Sequence, residues 1–262
     1  MAMILFLIAF FASTVGSITG IGGGIVVKPL IDALGLLEVS VLSFLSGCMV
    51  LAMALISLWR SRRAGTEIYF GKMVWLALGA AAGGVIGKQV FQWIQKNAAK
   101  PGALGLYQNI VLLLVTVLAF FYTLRKKNIR TYQLKGNISK TLCGLTLGTL
   151  SAFLGIGGGP INLMALSFFF SMDSKNAAIH SLFIIVVSQM VSLGVTAVSG
   201  TIPVFDPMQL ALMVVGGAGG AVLGSYLVRK MSLGGVDRVF LLMLVLIAAT
   251  CLVSIIRFSG AM

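Results

Sequence analysis

Eight long apolar runs occupy most of the 262-residue chain and limit what it can fold into. Six of them have about the length of one helical crossing of a bilayer, roughly 20 residues. The chain is 59% hydrophobic and only 10% charged, whereas a soluble domain carries about 25% charged residues. We therefore expect an all-α integral membrane protein and exclude soluble enzymes and nucleic-acid-binding domains. The runs span 3–34, 39–59, 69–90, 104–124, 139–171, 176–199, 207–229 and 238–256.

The first and fifth runs are longer than the others and contain clustered glycines near their middle. Gly-Ile-Gly-Gly-Gly occupies 20–24 in the first run, and the same five residues occupy 155–159 in the fifth. Four glycines in five residues strongly disfavour a continuous helix. Each half of such a run, about 12 to 16 residues, is too short to span a bilayer. Each of the two runs therefore predicts a re-entrant helical hairpin.

The two broken runs belong to an internal repeat with an offset of 135 residues. Ser46 and Ser181 follow the two glycine clusters at this same offset. We therefore divide the chain into two homologous repeats, 1–134 and 135–262, each with a re-entrant hairpin followed by three transmembrane helices. Because the N-terminal run matches the fifth run, we expect it to belong to the mature protein and not to a cleaved signal peptide.

The positions of Lys and Arg distinguish two topologies. If the first and fifth runs enter and return on one side, most basic loops share a side, which the positive-inside rule assigns to the cytoplasm. Three crossings per repeat then make the repeats inverted, with both termini outside, as in many secondary transporters. If all eight runs cross, the basic loop after the seventh run falls outside. This second topology fits the rule less well and stays the alternative.

The glycine clusters are the strongest functional signal in the sequence. Non-helical backbone inside a membrane is tolerated only where it is buried in protein or lines a polar cavity. A half-helix that begins after each cluster would present free N–H groups and a positive dipole end, which favour an anion. We expect a midplane substrate site formed by Gly22, Gly23, Gly24, Gly157, Gly158 and Gly159. The alternative is that these glycines only allow close helix packing. Packing is our interpretation of a second set at four-residue spacing: Gly79, Gly83, Gly87, Gly216, Gly220 and Gly224.

Polar residues inside the runs are candidates for the substrate site or its pathway. Lys28 lies one turn after the first cluster, where its charge would favour an anion, unless the side chain extends to the membrane surface. Asn162 offers a polar group at the second cluster. His180, the only histidine, is either a coupling group or a structural hydrogen-bonding group. Further pathway candidates are Ser46, Ser181 and Gln189, which could instead bond only to backbone carbonyls.

Other chemistry has little support in the sequence. All six acidic residues fall near the ends of the runs, which argues against a cation relay at mid-membrane. Cys48, Cys143 and Cys251 predict buried thiols without a disulfide. We expect no catalytic residue, no metal and no cofactor. The expected partners are a small anionic substrate and the lipid bilayer, not nucleic acid, and a homo-oligomer stays open.

The sequence around both clusters resembles the TauE/SafE family of membrane transporters, also called the toluene sulfonate uptake permease family. The matching stretches are GSITGIGGGIVVKPLIDALGL at 16–36, GTLSAFLGIGGGPINLMALSFFF at 148–170 and NAAIHSLFII at 176–185. The resemblance implies a protein of the cytoplasmic membrane that moves sulfur-containing anions such as sulfite or organosulfonates, usually outward. We therefore expect a secondary transporter of a small anion that works by alternating access. The alternatives are a passive anion channel and an intramembrane sulfur-transfer component that uses the cysteines.

Overall fold

The computed structural model describes residues 2–66, 70–97, 103–154 and 158–260, and within them it contains α-helices, one short 3₁₀ helix and no strand. The predicted all-helical class is confirmed for these residues. The 3₁₀ helix is Lys126–Asn128. The α-helices are α1 (Ala2–Thr19), α2 (Gly24–Leu34), α3 (Val39–Arg63), α4 (Phe70–Asn97), α5 (Ala103–Arg125), α6 (Asn137–Leu154), α7 (Gly159–Phe170), α8 (Ser174–Val198), α9 (Pro207–Lys230) and α10 (Leu233–Gly260).

The six unbroken apolar runs each form one helix that is long and apolar enough to cross a membrane: α3, α4, α5, α8, α9 and α10. Several of these helices are longer than the runs that predicted them. Helix α4 continues to Asn97 and α10 begins at Leu233, because a helix can continue into polar residues that hydropathy does not count.

The first broken run forms two helices, α1 and α2, and residues 20–23 between them are not α-helical. The fifth run forms α6 and α7, and residues 155–157 between them lie outside the described residues. Helices α1 and α6 each have 18 residues, more than the 12 to 16 expected, whereas α2 has 11 and α7 has 12. Each pair therefore combines one long and one short helix.

The glycines at four-residue spacing are confirmed as packing positions. A Cβ on Gly79, Gly83 or Gly87 of α4 would overlap, in turn, the backbone oxygens of Thr141, Leu145 and Thr149 on α6. Successive glycines thus meet successive turns, so α4 and α6 run in the same direction with their backbones in close contact. Helices α9 and α1 are parallel for the same reason, since Gly216, Gly220 and Gly224 meet the backbones of Phe6, Phe10 and Thr14.

One end of the helix bundle collects most of the basic side chains, and we call it the basic end. Helices α3, α7 and α9 end there, and α4, α6, α8 and α10 begin there, as residues shared by two cavities demonstrate. Lys126, which follows α5, also lies at this end, because its ammonium is 2.5 Å from the carboxylate of Asp237 near the start of α10. The basic residues of this end are Arg60, Arg62, Arg63, Arg125, Lys126, Arg130, Lys135, Lys140, Lys175, Arg229, Lys230 and Arg238.

The interior and the outer face of the bundle are both apolar. The largest fully buried side chains are concentrated in the first broken run and in α3, and include Ile21, Ile25, Leu42 and Met49. Long helices also carry exposed apolar side chains, such as Leu114, which is 61% exposed. An apolar exterior of this kind suits contact with lipid and not with water.

Candidate functional site

The first break in the chain is a short loop whose backbone requires glycine. Gly20 and Gly22 have φ angles of 75° and 82°, in the left-handed region that residues with a Cβ avoid. A Cβ on Gly20 would also overlap Ala178 of α8. Ser181, one turn further along α8, donates a hydrogen bond of 2.7 Å from its hydroxyl to the carbonyl oxygen of Gly20. The structure therefore joins Ser181, a predicted pathway residue, directly to the first break.

Ser13 is a residue of the first break that our sequence analysis missed. Its side chain is fully buried, and its hydroxyl oxygen has no hydrogen-bond partner among the described residues. A Cβ built on Gly23, the residue before α2, would lie 2.8 Å from this oxygen. The sequence feature that could have identified Ser13 is the concentration of Ser and Thr at 13–19, which is unusual inside an apolar run.

The second break brings another buried polar side chain to a helix start. Gly158 precedes α7 with a φ angle of 106°, and Pro160 occupies the first turn, where a missing N–H has no cost. Asn162 is fully buried, and its amide would collide with a Cβ on Gly158. Neither its amide nitrogen nor its amide oxygen has a partner among the described residues. Gly157, the remaining predicted residue of this break, lies outside them.

The starts of α2 and α7 touch each other. A Cβ on Gly159, the first residue of α7, would overlap the side chain of Ile25, the second residue of α2. Helix starts carry unsatisfied N–H groups and the positive end of the helix dipole. The two helix starts are thus in contact inside the bundle, and each has beside it a buried polar side chain without a partner among the described residues.

Lys28 lies between the two breaks and is 3% exposed, which excludes a side chain extended to the surface. Its ammonium donates three hydrogen bonds: to the Ser43 hydroxyl at 3.0 Å, to Gln108 Oε1 at 2.6 Å and to the Leu154 carbonyl oxygen at 2.8 Å. Leu154 is the last residue of α6, immediately before the second break. Lys28 therefore supplies charge near the breaks, while its three donors are all bonded to protein.

The remaining predicted pathway residues lie on α3 and α8, which contact each other. Ser46 is buried and donates to the Ser43 carbonyl oxygen at 3.3 Å. Gln189 is 3% exposed, its Nε2 has no partner among the described residues, and its Oε1 would lie 3.4 Å from a Cβ on Gly47. His180 is fully buried, with Nδ1 2.8 Å from the Asn176 carbonyl oxygen of its own helix. Ser181 differs from them in its position, since its hydroxyl is bonded to Gly20 of the first break.

Two comparisons with known proteins give matches over most of the chain. Residues 5–251 match the family model for the sulfite exporter TauE/SafE. The chain is also similar to a protein of Bacillus subtilis (strain 168) described as "Probable membrane transporter protein YunE", with 26% identity over 266 residues, 94% of this chain and 95% of that protein. No solved structure matches the chain.

These matches confirm the resemblance seen at the glycine clusters. Six helices in the described part of the chain have membrane-spanning length and composition, and the protein is a multi-pass protein of the cell membrane. Since the family match covers nearly the whole length, the chain belongs to the TauE/SafE family of membrane transporters.

Proposed function

We propose that this protein is a secondary transporter that exports a small sulfur oxyanion, such as sulfite or an organosulfonate, by alternating access around a site between the two breaks. The observation that carries the proposal is the contact between the starts of α2 and α7, beside which Ser13 and Asn162 each bury a polar group without a partner among the described residues. Buried polar groups nearly always have a hydrogen-bond partner. Because the Ser13 hydroxyl and the Asn162 amide have none among the described residues, they are available to bind a ligand.

The proposed ligands are mostly backbone N–H groups at the two breaks. The glycines that contribute them are Gly22, Gly23, Gly24, Gly157, Gly158 and Gly159. Asn162 adds an amide donor from α7, and Ser13 adds a hydroxyl from α1. Lys28 contributes positive charge without a direct hydrogen bond, because Ser43, Gln108 and Leu154 accept all three of its protons. Backbone N–H groups and the positive dipole end of a helix start are sufficient to bind an anion.

We further propose two inverted repeats, 1–134 and 135–262, each opening with a re-entrant hairpin. The pairing of helices supports this proposal, because α1 packs along α9 while its counterpart α6 packs along α4, the counterpart of α9. Helix α3 ends at the basic end whereas its counterpart α8 begins there, as inversion requires. Movement of one repeat against the other would expose the site to each side in turn.

Four polar residues complete the proposal as pathway positions. Ser181 has direct support from its hydrogen bond to Gly20. Ser46 and Gln189 are assigned to the α3–α8 contact, where the Nε2 of Gln189, unpartnered among the described residues, is available to a passing anion. His180 is proposed as the coupling group, since imidazole changes charge near neutral pH.

The first test is ligand-dependent stabilisation of the purified protein. We would measure the unfolding midpoint with sulfite, sulfate, thiosulfate, taurine, sulfoacetate and matched carboxylates. A ligand at 100 times its Kd stabilises the folded state by about 2.7 kcal/mol. We expect a shift with a sulfur anion that Asn162→Leu reduces. Thr116→Val, which removes a buried hydroxyl on α5 bonded to its own helix, should leave the shift unchanged.

Either of two results would overturn the anion site. One is stabilisation only by cations or neutral solutes, and the other is a shift that survives Asn162→Leu unchanged. Saturable flux with counterflow in proteoliposomes would separate a transporter from a passive channel, which gives flux without counterflow.

A further inference from the structure

One of the cavities at the basic end, which we call the vestibule, is lined by both polar and apolar side chains. Its volume is about 390 Å³, within the range of about 300–1,000 Å³ that is usual for small-molecule sites. Exposed or half-buried residues from the starts and ends of helices line its outer part, among them Thr66, Lys175 and Arg229. Buried serines line its inner part. The vestibule thus connects the surface of the basic end with the interior of the bundle.

Three serines from three helices form a hydroxyl cluster in this inner part. Ser17 Oγ lies 2.6 Å from Ser57 Oγ and 3.3 Å from Ser225 Oγ, and the three residues are at most 5% exposed. They belong to α1, α3 and α9, three parallel helices that close packing brings together. Hydroxyls can rotate to donate or accept, so this cluster can exchange internal hydrogen bonds for bonds to an anion.

The charged residues of the vestibule favour an anion. Lys175 and Arg229 both line it, and neither forms an ion pair within the described part of the chain. Asp173 is the one carboxylate in the described lining, and it caps α8. Its Oδ1 accepts from the backbone N–H groups of Lys175 and Asn176, each at 3.0 Å, and its Oδ2 accepts from the Asn176 amide at 2.6 Å. The α8 start therefore offsets its charge.

The vestibule ends against the first break. Ala178 lines the cavity, and the same residue packs so closely on Gly20 that a Cβ there would overlap it. Ser181, one turn further along α8, bonds to the Gly20 carbonyl. One layer of contacts between α8 and the loop therefore separates the hydroxyl cluster from the break.

We propose that the vestibule is the loading site through which a small oxyanion enters from the basic end, with Ser17, Ser57 and Ser225 as its last ligands before the first break. This inference rests on the proposed transport function and adds to it a second anion site and a direction of entry. Lys175 and Arg229 attract the anion, and the hydroxyl cluster replaces part of its hydration shell. Separation of Ala178 from Gly20 would then admit it to the midplane site.

The test uses cysteine labelling at the inner part of the vestibule. We would prepare Ser57→Cys, with Ser61→Cys in the same cavity as a second position should the first not fold. Two membrane-impermeant methanethiosulfonate reagents would be applied from each side of oriented vesicles, one bearing a sulfonate and one bearing a trimethylammonium group. Rates would be divided by those of a free small thiol. The unmodified protein, with Cys48, Cys143 and Cys251, gives the baseline.

We expect the sulfonate reagent to label the thiol of the Ser57→Cys variant from the basic end at least about tenfold faster than the cationic reagent, since a cleft of one charge sign raises encounter rates by about 10–10³-fold. Lys175→Gln with Arg229→Gln should remove this preference. Lys140→Gln, which removes a charge from the neighbouring cavity on the other side of α8, should preserve it.

Two results would overturn the vestibule: equal normalised rates for the two reagents, or labelling only from the opposite end. Failure of the midplane site gives a different pattern. If the anion-induced shift survives Asn162→Leu unchanged and the introduced thiol keeps its anion preference, the vestibule stands as an anion site and the midplane site fails. If stabilisation is present without the preference, the vestibule alone is wrong.

Discussion

Lys28 demonstrates how one side chain can hold a break in a membrane helix. Its ammonium donates to the last carbonyl of α6, while its partner Gln108 donates through Nε2 to the Phe153 carbonyl at 2.5 Å. These two carbonyls belong to the end of α6, where helix carbonyls lack intrahelical partners. A positive charge at a helix C-terminus is also favourable. Lys28 and Gln108 together therefore cap α6 at the second break.

We predict that Lys28→Met lowers both stability and anion affinity while the protein still folds. The loss of stability is about 1–3 kcal/mol for each acceptor that stays buried without a donor. Loss of the charge should reduce the anion-induced shift of the unfolding midpoint. Gln108→Leu is the matched control, because it breaks the same cap and keeps the charge. An equal loss of the shift in both variants would mean that the charge itself does not contribute to binding.

At the scale of elements, the close α4–α6 contact depends on glycines of both helices, since a Cβ on Gly144 of α6 would overlap the Leu76 carbonyl oxygen. The α1–α9 contact depends on the glycines of α9. Gly83 is representative, since a Cβ there would overlap the Leu145 carbonyl oxygen and lie 2.7 Å from the Thr149 nitrogen. Backbone atoms cannot rotate away as a side chain can. At the breaks a second constraint is added, because Gly20, Gly22 and Gly158 have positive φ angles that disfavour other residues whatever the space around them.

We predict that Gly83→Ala destabilises the protein by about 1–3 kcal/mol, the usual cost of overpacking, even though alanine favours helix by up to about 1 kcal/mol. The unfolding midpoint in detergent would measure this. Gly194→Ala on α8 is the control, because a Cβ there has no neighbour within 4 Å among the described residues and only the gain in helix propensity remains. Equal midpoints for the two variants would mean that the backbones of α4 and α6 are not in close contact at Gly83.

For the whole molecule, the two topologies considered from the sequence differ in where the loop after α8 lies. Two re-entrant hairpins put this loop opposite the basic end, whereas eight crossings put it on the same side as the loop between α5 and α6. The structure has α6 beginning and α7 ending at the basic end, since Lys140 and Phe170 line one cavity there. The arrangement of the helices therefore agrees with the hairpin topology that we propose.

We predict that cysteines placed in these two loops react from opposite sides of the membrane. Tyr132→Cys, at a position 62% exposed near the basic end, should react only from the cytoplasmic side. Val204→Cys, at a position 97% exposed in the loop after α8, should react only from outside. Reaction of both from the cytoplasmic side would support eight crossings and exclude the inverted repeats.

The membrane environment, the six long apolar helices, the position of the first break and the family could be predicted from the sequence. All of these depend on local composition and on motifs near one another in the chain. Lys28 and Asn162 were also visible as polar residues inside apolar runs. The contacts of these two side chains could not be predicted, because they depend on how distant parts of the chain pack together. Lys28 bonds to Gln108, which is 80 positions further along the chain, and to Leu154, which is 126 positions further along. No periodicity in the sequence encodes such contacts. Whether a buried hydroxyl such as that of Ser13 has a partner likewise depends on how distant helices pack.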